Sequence, residues 1–234
     1  MRSFLFALCL IMGFRVLSQT SSPGSQQVYA LVIGISKYLQ KDIPQLQFAD
    51  RDAKVFADYL KSKAGGAVPA ENIQLLVNED ATTSAVYDAI YWLKNTCKKG
   101  DLVYFYFSGH GDLETNTMFN NGYLICYDSP PNNYVKLALG VDYVNEIAHT
   151  LSAQTNANVV LITDACHSGK LAGSRFGGTF LVGDQLRAVK NKEIRITACA
   201  TDQLSNENAD WGGGRGVFSY YLTNGLKGLA DIDN

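Results

Sequence analysis

The chain has 234 residues, 47% of them hydrophobic and 18% charged, with a formal net charge of −2. That length suits one large α/β domain with a sizeable core. No basic run or Lys/Arg stripe is present, so nucleic acid is excluded as an expected partner.

The N-terminus reads as an export signal. Met1-Arg2-Ser3 is a short basic start, and residues 4–14 form an apolar run too short to span a bilayer. Val16 and Ser18 place small residues before a cut ahead of Gln19. Residues 1–18 are expected to be a signal peptide, and the protein to be secreted or periplasmic, with no stable membrane insertion once the signal is removed. Losing Arg2 and Arg15 takes the net charge to −4, and Cys9 goes with them. Cys97, Cys126, Cys166 and Cys199 remain, and an even count in an exported protein permits two disulfides.

Residues 19–27 read as a flexible leader rich in Ser and Gln. Residues 28–35 are a continuous apolar run, the pattern of a buried parallel strand. A helix is expected over 50–61, with Ala53, Phe56, Ala57 and Leu60 on one face. A short strand follows at 72–77. Thr82 or Thr83 can cap a helix running to Cys97, with Val86, Ile90 and Leu93 inward. Residues 102–107 are a third long strand.

Residues 112–140 are irregular and polar, with a short strand at 123–127 and a turn at Pro130-Pro131-Asn132-Asn133. A helix is expected over 141–151, strands over 159–163 and 194–199, and a closing helix over 217–226. Gly212-Gly213-Gly214 forms a loop between the last two. The acids that begin at Asp231 look like the opening of a calcium loop cut off midway. Residues 28–228 are therefore taken as one domain, and 229–234 as the start of a truncated C-terminal segment.

This β-α-β-α-β order predicts an α/β fold: a three-layer α/β/α sandwich with a mostly parallel central sheet of about six strands. Ligands of such sheets bind outside the carboxyl ends of the strands. Two strands there run straight into chemistry. One ends in Phe107-Ser108-Gly109-His110-Gly111, the other in Thr163-Asp164-Ala165-Cys166-His167. A thiol with a pKa of about 8.5 is mostly protonated at neutral pH, and an imidazole can take that proton and later give it to a leaving amine. The N–H groups of Gly111 and Cys166 are natural donors to a developing oxyanion. As a nucleophile Cys166 must stay free, which leaves at most one disulfide. His167 adjoins the thiol, but neighbours on an extended segment point to opposite faces. His149 lies among polar residues of a helix and reads as a surface residue, and Cys199 reads as core.

The segments Tyr106-Phe107-Ser108-Gly109-His110-Gly111 and Asp164-Ala165-Cys166-His167-Ser168-Gly169 resemble the histidine and cysteine boxes of the caspase-like superfamily. The second box is closer to metacaspases and bacterial caspase-domain peptidases than to animal caspases. Residues 29–35 and 46–53 resemble the first strand and the segment after it, so the resemblance spans roughly Val28 to Gly228. It implies a cysteine endopeptidase with the dyad His110 and Cys166, acting on a protein or peptide substrate. It also implies cleavage after Arg or Lys, because the family's pocket aspartates match Asp164 and Asp52. A carboxylate at a pocket floor pairs with a guanidinium or ammonium and rejects an acid. The local alternative for Asp52 is a carboxylate complementing a helix N-terminus, which Asp50 could supply equally well.

The family commonly needs calcium, but Asp112, Glu114 and Asp128 with intervening Asn do not make an evident site, and no zinc spacing appears. No cofactor or metal is assigned. Lys170, Arg175, Arg187, Lys190 and Lys192 follow the cysteine box, where self-processing would suit a basic-directed enzyme. A non-catalytic module of the same fold, binding peptides or partner proteins, is the alternative. A nucleotide- or flavin-binding protein is disfavoured because the first strand lacks a glycine-rich phosphate loop.

Overall fold

The structure is a computed structural model and describes residues 26–114, 118, 121–131, 133–165, 186, 192–198 and 206–231. The expected signal peptide (1–18) and most of the leader lie outside the described residues. So do Lys170, Arg175, Arg187 and Lys190 of the segment after the cysteine box, and the last three residues. Among the described residues no helix is long and apolar enough to cross a membrane.

Five strands form the central sheet: β1 (Val28–Gly34), β2 (Ile73–Val77), β3 (Leu102–Ser108), β7 (Asn158–Asp164) and β8 (Glu193–Thr197). Their order is β2-β1-β3-β7-β8, and every pairing is parallel. The sixth expected strand, around Tyr123, belongs elsewhere. There β4 (Gly111–Leu113), β5 (Gly122–Leu124) and β6 (Leu139–Gly140) make a small antiparallel sheet beside the carboxyl end of β3. Such short strands fit the polar, turn-rich composition of that stretch. A two-stranded ribbon, β9 (Glu207–Asn208) and β10 (Arg215–Gly216), completes the set.

The pleat sorts side chains onto two faces. Leu31, Ile33, Val103, Phe105, Val159 and Leu161 enter one apolar cluster, while their neighbours Ala30, Val32, Tyr106 and Ile162 enter another. The first face is covered by α2 (Thr83–Thr96) and α3 (Val141–His149), through Val86, Ile90, Leu93, Val144 and Ala148. The second is covered by α1 (Ala49–Lys61) and α4 (Val217–Asn224), through Ala53, Phe56, Ala57, Leu60, Phe218 and Leu222. This is the expected three-layer sandwich. Thr82 caps α2, its side-chain oxygen accepting from the N–H of Ala85 at 3.2 Å.

The start of α1 is held differently. Its preceding residue, Phe48, offers no side-chain cap. Glu207 of β9 substitutes, its carboxylate accepting from the N–H groups of Gln47 at 2.9 Å and Phe48 at 3.0 Å. A carboxylate there also complements the partial positive charge of the helix terminus. Arg51 donates to the carbonyls of Gly212 and Gly213. The ribbon is thereby tied to the first turn of α1 across about two thirds of the chain.

Cys97 and Cys126 are buried and free, so neither enters a disulfide. Burial pushes the Cys97 thiol up to about 11 and the Cys126 thiol up to about 12. Neither is therefore nucleophilic near neutrality. In the folded protein at pH 8, iodoacetamide is expected to leave both unmodified by mass spectrometry, and to modify both in denaturant. Modification of either in the native state contradicts their burial.

Gly34 ends β1 against α1. A Cβ there would lie 2.4 Å from the Cβ of Ala53 and 2.5 Å from the carbonyl oxygen of Ala49. Gly34→Ala is expected to lower unfolding stability by at least ~1–3 kcal/mol, the usual cost of overpacking. Urea titration reads this, and an unchanged midpoint contradicts the close approach.

Candidate active site

The two chemistry-bearing strands are neighbours. β3 pairs with β7 in parallel register, with Phe107 opposite Thr163 and Ser108 opposite Asp164. Pairing continues one step further, because the N–H of Gly109 donates to the carbonyl of Asp164 at 3.1 Å. His110 lies two residues past Ser108, and Cys166 two residues past Asp164. The register thus brings the two strand ends to one sheet edge in step. Cys166 itself lies outside the described residues, as do His167 and Cys199.

His110 is buried, and its position is fixed at several atoms. Its N–H donates to the Tyr38 hydroxyl at 2.9 Å, and its carbonyl accepts from the N–H of Ile125 at 2.9 Å. Its ring stacks on Tyr38 with centroids 5.0 Å apart. Its Nε2 lies 2.8 Å from the carbonyl oxygen of Pro44. A carbonyl only accepts, so Nε2 carries the hydrogen, and in the neutral ring Nδ1 carries the lone pair. Nδ1 is therefore the ring nitrogen that can accept a proton. Tyr38 is braced in turn by Gln45, whose Oε1 accepts from its N–H at 2.8 Å. Burial and, to a smaller extent, nearby negative charge push the Tyr38 hydroxyl far above its ordinary value, so it stays neutral while it accepts from the His110 N–H. Tyr38 and Pro44 were not marked by the sequence reading, because they sit in a loop without periodicity. Gly111 opens β4 directly after the imidazole, opposite Leu124.

His149 is half-buried at the end of α3, with Nδ1 out of reach of solvent, so it is less a surface residue than expected. The helix turns that nitrogen inward where polar neighbours had suggested an exposed face.

A charged cluster lies under the same edge. By the pleat, Asp164 falls on the face of Tyr106 and Ile162, toward α1 and α4. Asp52 stands among the buried residues of α1, at 1% exposure, in a stripe otherwise made of Ala49, Ala53, Phe56, Ala57 and Leu60. Two carboxylates therefore meet in one apolar layer. Both bracket Gly216: a Cβ on that glycine would lie 2.8 Å from Asp52 Oδ2 and 2.9 Å from Asp164 Oδ2.

Each carboxylate is held by the C-terminal part of the chain. Asp52 Oδ1 takes an ion-paired hydrogen bond from Arg215 Nε, and Oδ2 accepts from the Gly216 N–H at 2.8 Å. Asp164 Oδ2 accepts from the Ser219 hydroxyl at 2.9 Å, and Ser219 Oγ lies 2.6 Å from the Tyr106 hydroxyl. The Asp52 carboxylate thus bonds across the fold, while Asp50 accepts from Ser36 Oγ at 2.7 Å and Lys54 at 2.9 Å near the helix start. Ser108 Oγ is buried and has no hydrogen-bond partner among the described residues. It falls on the same sheet face as Asp164, its register partner. Arg215, like Tyr38 and Pro44, is not marked by the sequence. A carboxylate on an apolar helix face calls for a cation, and beyond Lys192 the chain offers only Arg195, Arg215 and Lys227.

Two of the acids considered for calcium, Asp112 and Asp128, have other duties. Asp112 is buried and accepts from the Tyr134 hydroxyl at 2.8 Å, and burial raises its pKa. Asp128 accepts from the N–H and hydroxyl of Thr83 at the start of α2. Among the described residues no group of three His, Cys, Asp or Glu is placed to hold a metal ion.

A sequence profile described as Caspase domain matches residues 27–232. Among curated proteins, a probable protease from a Desulfuromonadales bacterium is 35% identical over 109 residues, covering 41% of this chain and 13% of that protein. Metacaspase-1 of Arabidopsis thaliana is 30% identical over 203 residues, covering 77% and 53%. Metacaspase-1A of Aspergillus oryzae is 30% identical over 159 residues, covering 60% and 34%. The chain therefore spans between 13% and 53% of the length of these relatives. A crystal structure of a Geobacter sulfurreducens protein superposes with a TM-score of 0.62 at 20% identity, covering 86% of this chain and 82% of that one. That likeness concerns the fold alone.

Burial pushes the Asp52 carboxyl up to about 6, with Asp164 adding to the push and Arg215 and the Gly216 N–H opposing it. A raised value means that the folded state holds this proton more readily than the unfolded chain. The contribution to stability is complete below about pH 4 and is lost as pH rises through about 6. Wild type is therefore expected to lose stability relative to Asp52→Asn as pH rises from 4 to 7 in urea titrations, whatever the offset that the loss of the Arg215 ion pair adds at every pH. Parallel pH profiles for the two proteins contradict the assignment.

Proposed function

The chain belongs to the caspase-domain family, and on that premise we propose that it is a cysteine endopeptidase that cleaves after Arg or Lys. The in-register pairing of β3 with β7 supports this reading, since the two strands that lead into His110 and Cys166 end side by side. His110 Nδ1 takes the thiol proton of Cys166. The sulfur attacks the scissile carbonyl, and its electron pair moves onto the oxygen. The N–H groups of Gly111 and Cys166 hold that oxyanion. Collapse of the intermediate breaks the C–N bond, and the imidazolium gives its proton to the leaving amine. Water, deprotonated by the same nitrogen, then releases the acyl group from sulfur and restores the thiol.

Asp164 and Asp52 supply negative charge for the side chain preceding the cleaved bond. The paired carboxylates under the strand end, both within 1% exposure, favour a guanidinium or ammonium over an acid. Ser108 Oγ adds a hydroxyl on that face. The reaction as written uses no metal or other cofactor. The same preference directs the enzyme to the basic residues after the cysteine box, and export to the periplasm or medium goes with the N-terminal apolar run.

Fluorogenic peptides ending in Arg, Lys or Asp, assayed with and without calcium, test the reading. Turnover is expected after Arg and Lys. Cys166→Ala should abolish it, and His110→Ala should lower kcat by ~10²–10⁴-fold, the range for loss of general acid–base catalysis. Self-processing is expected in wild type and not in Cys166→Ala. Absence of turnover of every peptide in every condition overturns the proposal, and turnover confined to the Asp peptide overturns the pocket.

A further inference from the structure

The segment 36–46 grips His110 through Tyr38 and Pro44 but lies in no helix or strand. Its backbone groups therefore need partners from elsewhere. Four successive N–H groups find them. Those of Ser36 and Lys37 donate to one atom, Asn78 Oδ1, at 2.9 and 3.0 Å. That of Tyr38 donates to Gln45 Oε1 at 2.8 Å, and that of Leu39 to the carbonyl of Tyr127 at 2.9 Å. Gln45 Nε2 in turn donates to the carbonyls of Tyr38 and Ile43, at 3.3 and 3.2 Å. One side chain thus joins the limb that bears Tyr38 to the corner that bears Pro44. The N–H of Leu46 closes the loop on the carbonyl of Ser36 at 2.8 Å.

Asn78 directly follows β2, is 9% exposed and has a φ of +48°. Asparagine tolerates that left-handed backbone better than most side chains. The strand order is β2-β1-β3, so the end of β2 fixes the exit of β1, and that exit braces the histidine beyond β3.

We propose that Asn78 and Gln45 are positioning residues for catalysis: their side-chain amides hold the 36–46 loop in the one path that puts the Tyr38 hydroxyl and the Pro44 carbonyl on His110. This rests on the peptidase reading above and deepens it. Each amide acts through other groups, Asn78 through the two N–H groups before Tyr38, Gln45 through Tyr38 and the corner before Pro44. Removing the Asn78 oxygen leaves two N–H groups unpaired, and the loop must shift to pair them again. A shift of about 1 Å at a catalytic group is enough to cost on the order of 10²-fold in rate.

Three variants separate backbone from side chain. Asn78→Gly keeps access to the positive φ and removes the oxygen. Asn78→Asp keeps an acceptor in the same place. Gln45→Met removes the amide at an exposed position. Asn78→Gly and Gln45→Met should each lower kcat for the Arg peptide by ~10-fold or more with KM unchanged, and Asn78→Asp should retain the wild-type kcat. A second readout needs no substrate. The His110 Nε2 hydrogen, bonded to the Pro44 carbonyl, is expected as a slowly exchanging imidazole signal by NMR in wild type and Asn78→Asp. It should be lost to exchange in Asn78→Gly and Gln45→Met. The chain has three histidines, and His110→Gln identifies the signal.

Thermal melts show which variants fold. A merely structural role predicts a lower melting temperature with the wild-type kcat per folded molecule and an unchanged ring signal. The proposal falls on that result in Asn78→Gly, and on loss of kcat in folded Asn78→Asp. Where Asn78→Gly does not fold, Gln45→Met decides: unchanged kcat and ring signal overturn the proposal, and loss of both supports it. If wild type cleaves none of the peptides, the peptidase reading fails by itself, and the ring signal alone decides whether the two amides hold the imidazole.

Discussion

Parallel pairing of β3 with β7 is the constraint on which the site depends. A strand has a side-chain period of two, so a slip of one residue sends every side chain to the opposite face. Here the register is held by Phe105, Phe107 and Leu161 on one face and by Tyr106 and Ile162 on the other. Apolar packing on both faces therefore determines where polar chemistry emerges at the strand ends. The same register turns Asp164 down toward α1 and α4 while the chain beyond it proceeds to Cys166.

The second organising element is the belt between α1 and the C-terminal ribbon. Glu207, Arg51 and Asp52 join the first turn of α1 to residues about 160 positions later. A buried ion pair is not in itself strong evidence of stability, since desolvation offsets most of the attraction. Its value is geometric: Asp52 bonds both Arg215 and the following N–H, so the entry to α4 is fixed against α1. The buried Arg195–Glu193 pair lies on the opposite face of the sheet, where Arg195 also donates to Asn145 of α3 and to the carbonyl of buried Leu186.

Much of the fold was readable because its signals are local. The apolar run of β1, the stripe of α1 and the Thr82 cap each declare themselves within a dozen residues. The alternation of strands and helices then implied a parallel sheet with covered faces. Strand adjacency was not readable, because pairing partners more than fifty residues apart share no local pattern. His110 could be named as a base, but its bracing by Tyr38 depends on a loop folding back over it. Asp52 was half readable. Its place in the sequence suggested a helix-terminal carboxylate, whereas its place on the apolar stripe of Ala49, Ala53 and Phe56 required a buried partner, and that partner is Arg215.

The bond from His110 Nε2 to the Pro44 carbonyl has a consequence for genetics. The group that sets the tautomer of this imidazole is a main-chain oxygen, which every amino acid possesses. A substitution scan that swaps side chains one at a time leaves that oxygen in place and registers Pro44 only through the path of its loop. The orienting partner of the His110 ring is thus carried by the shape of the backbone and has no codon of its own.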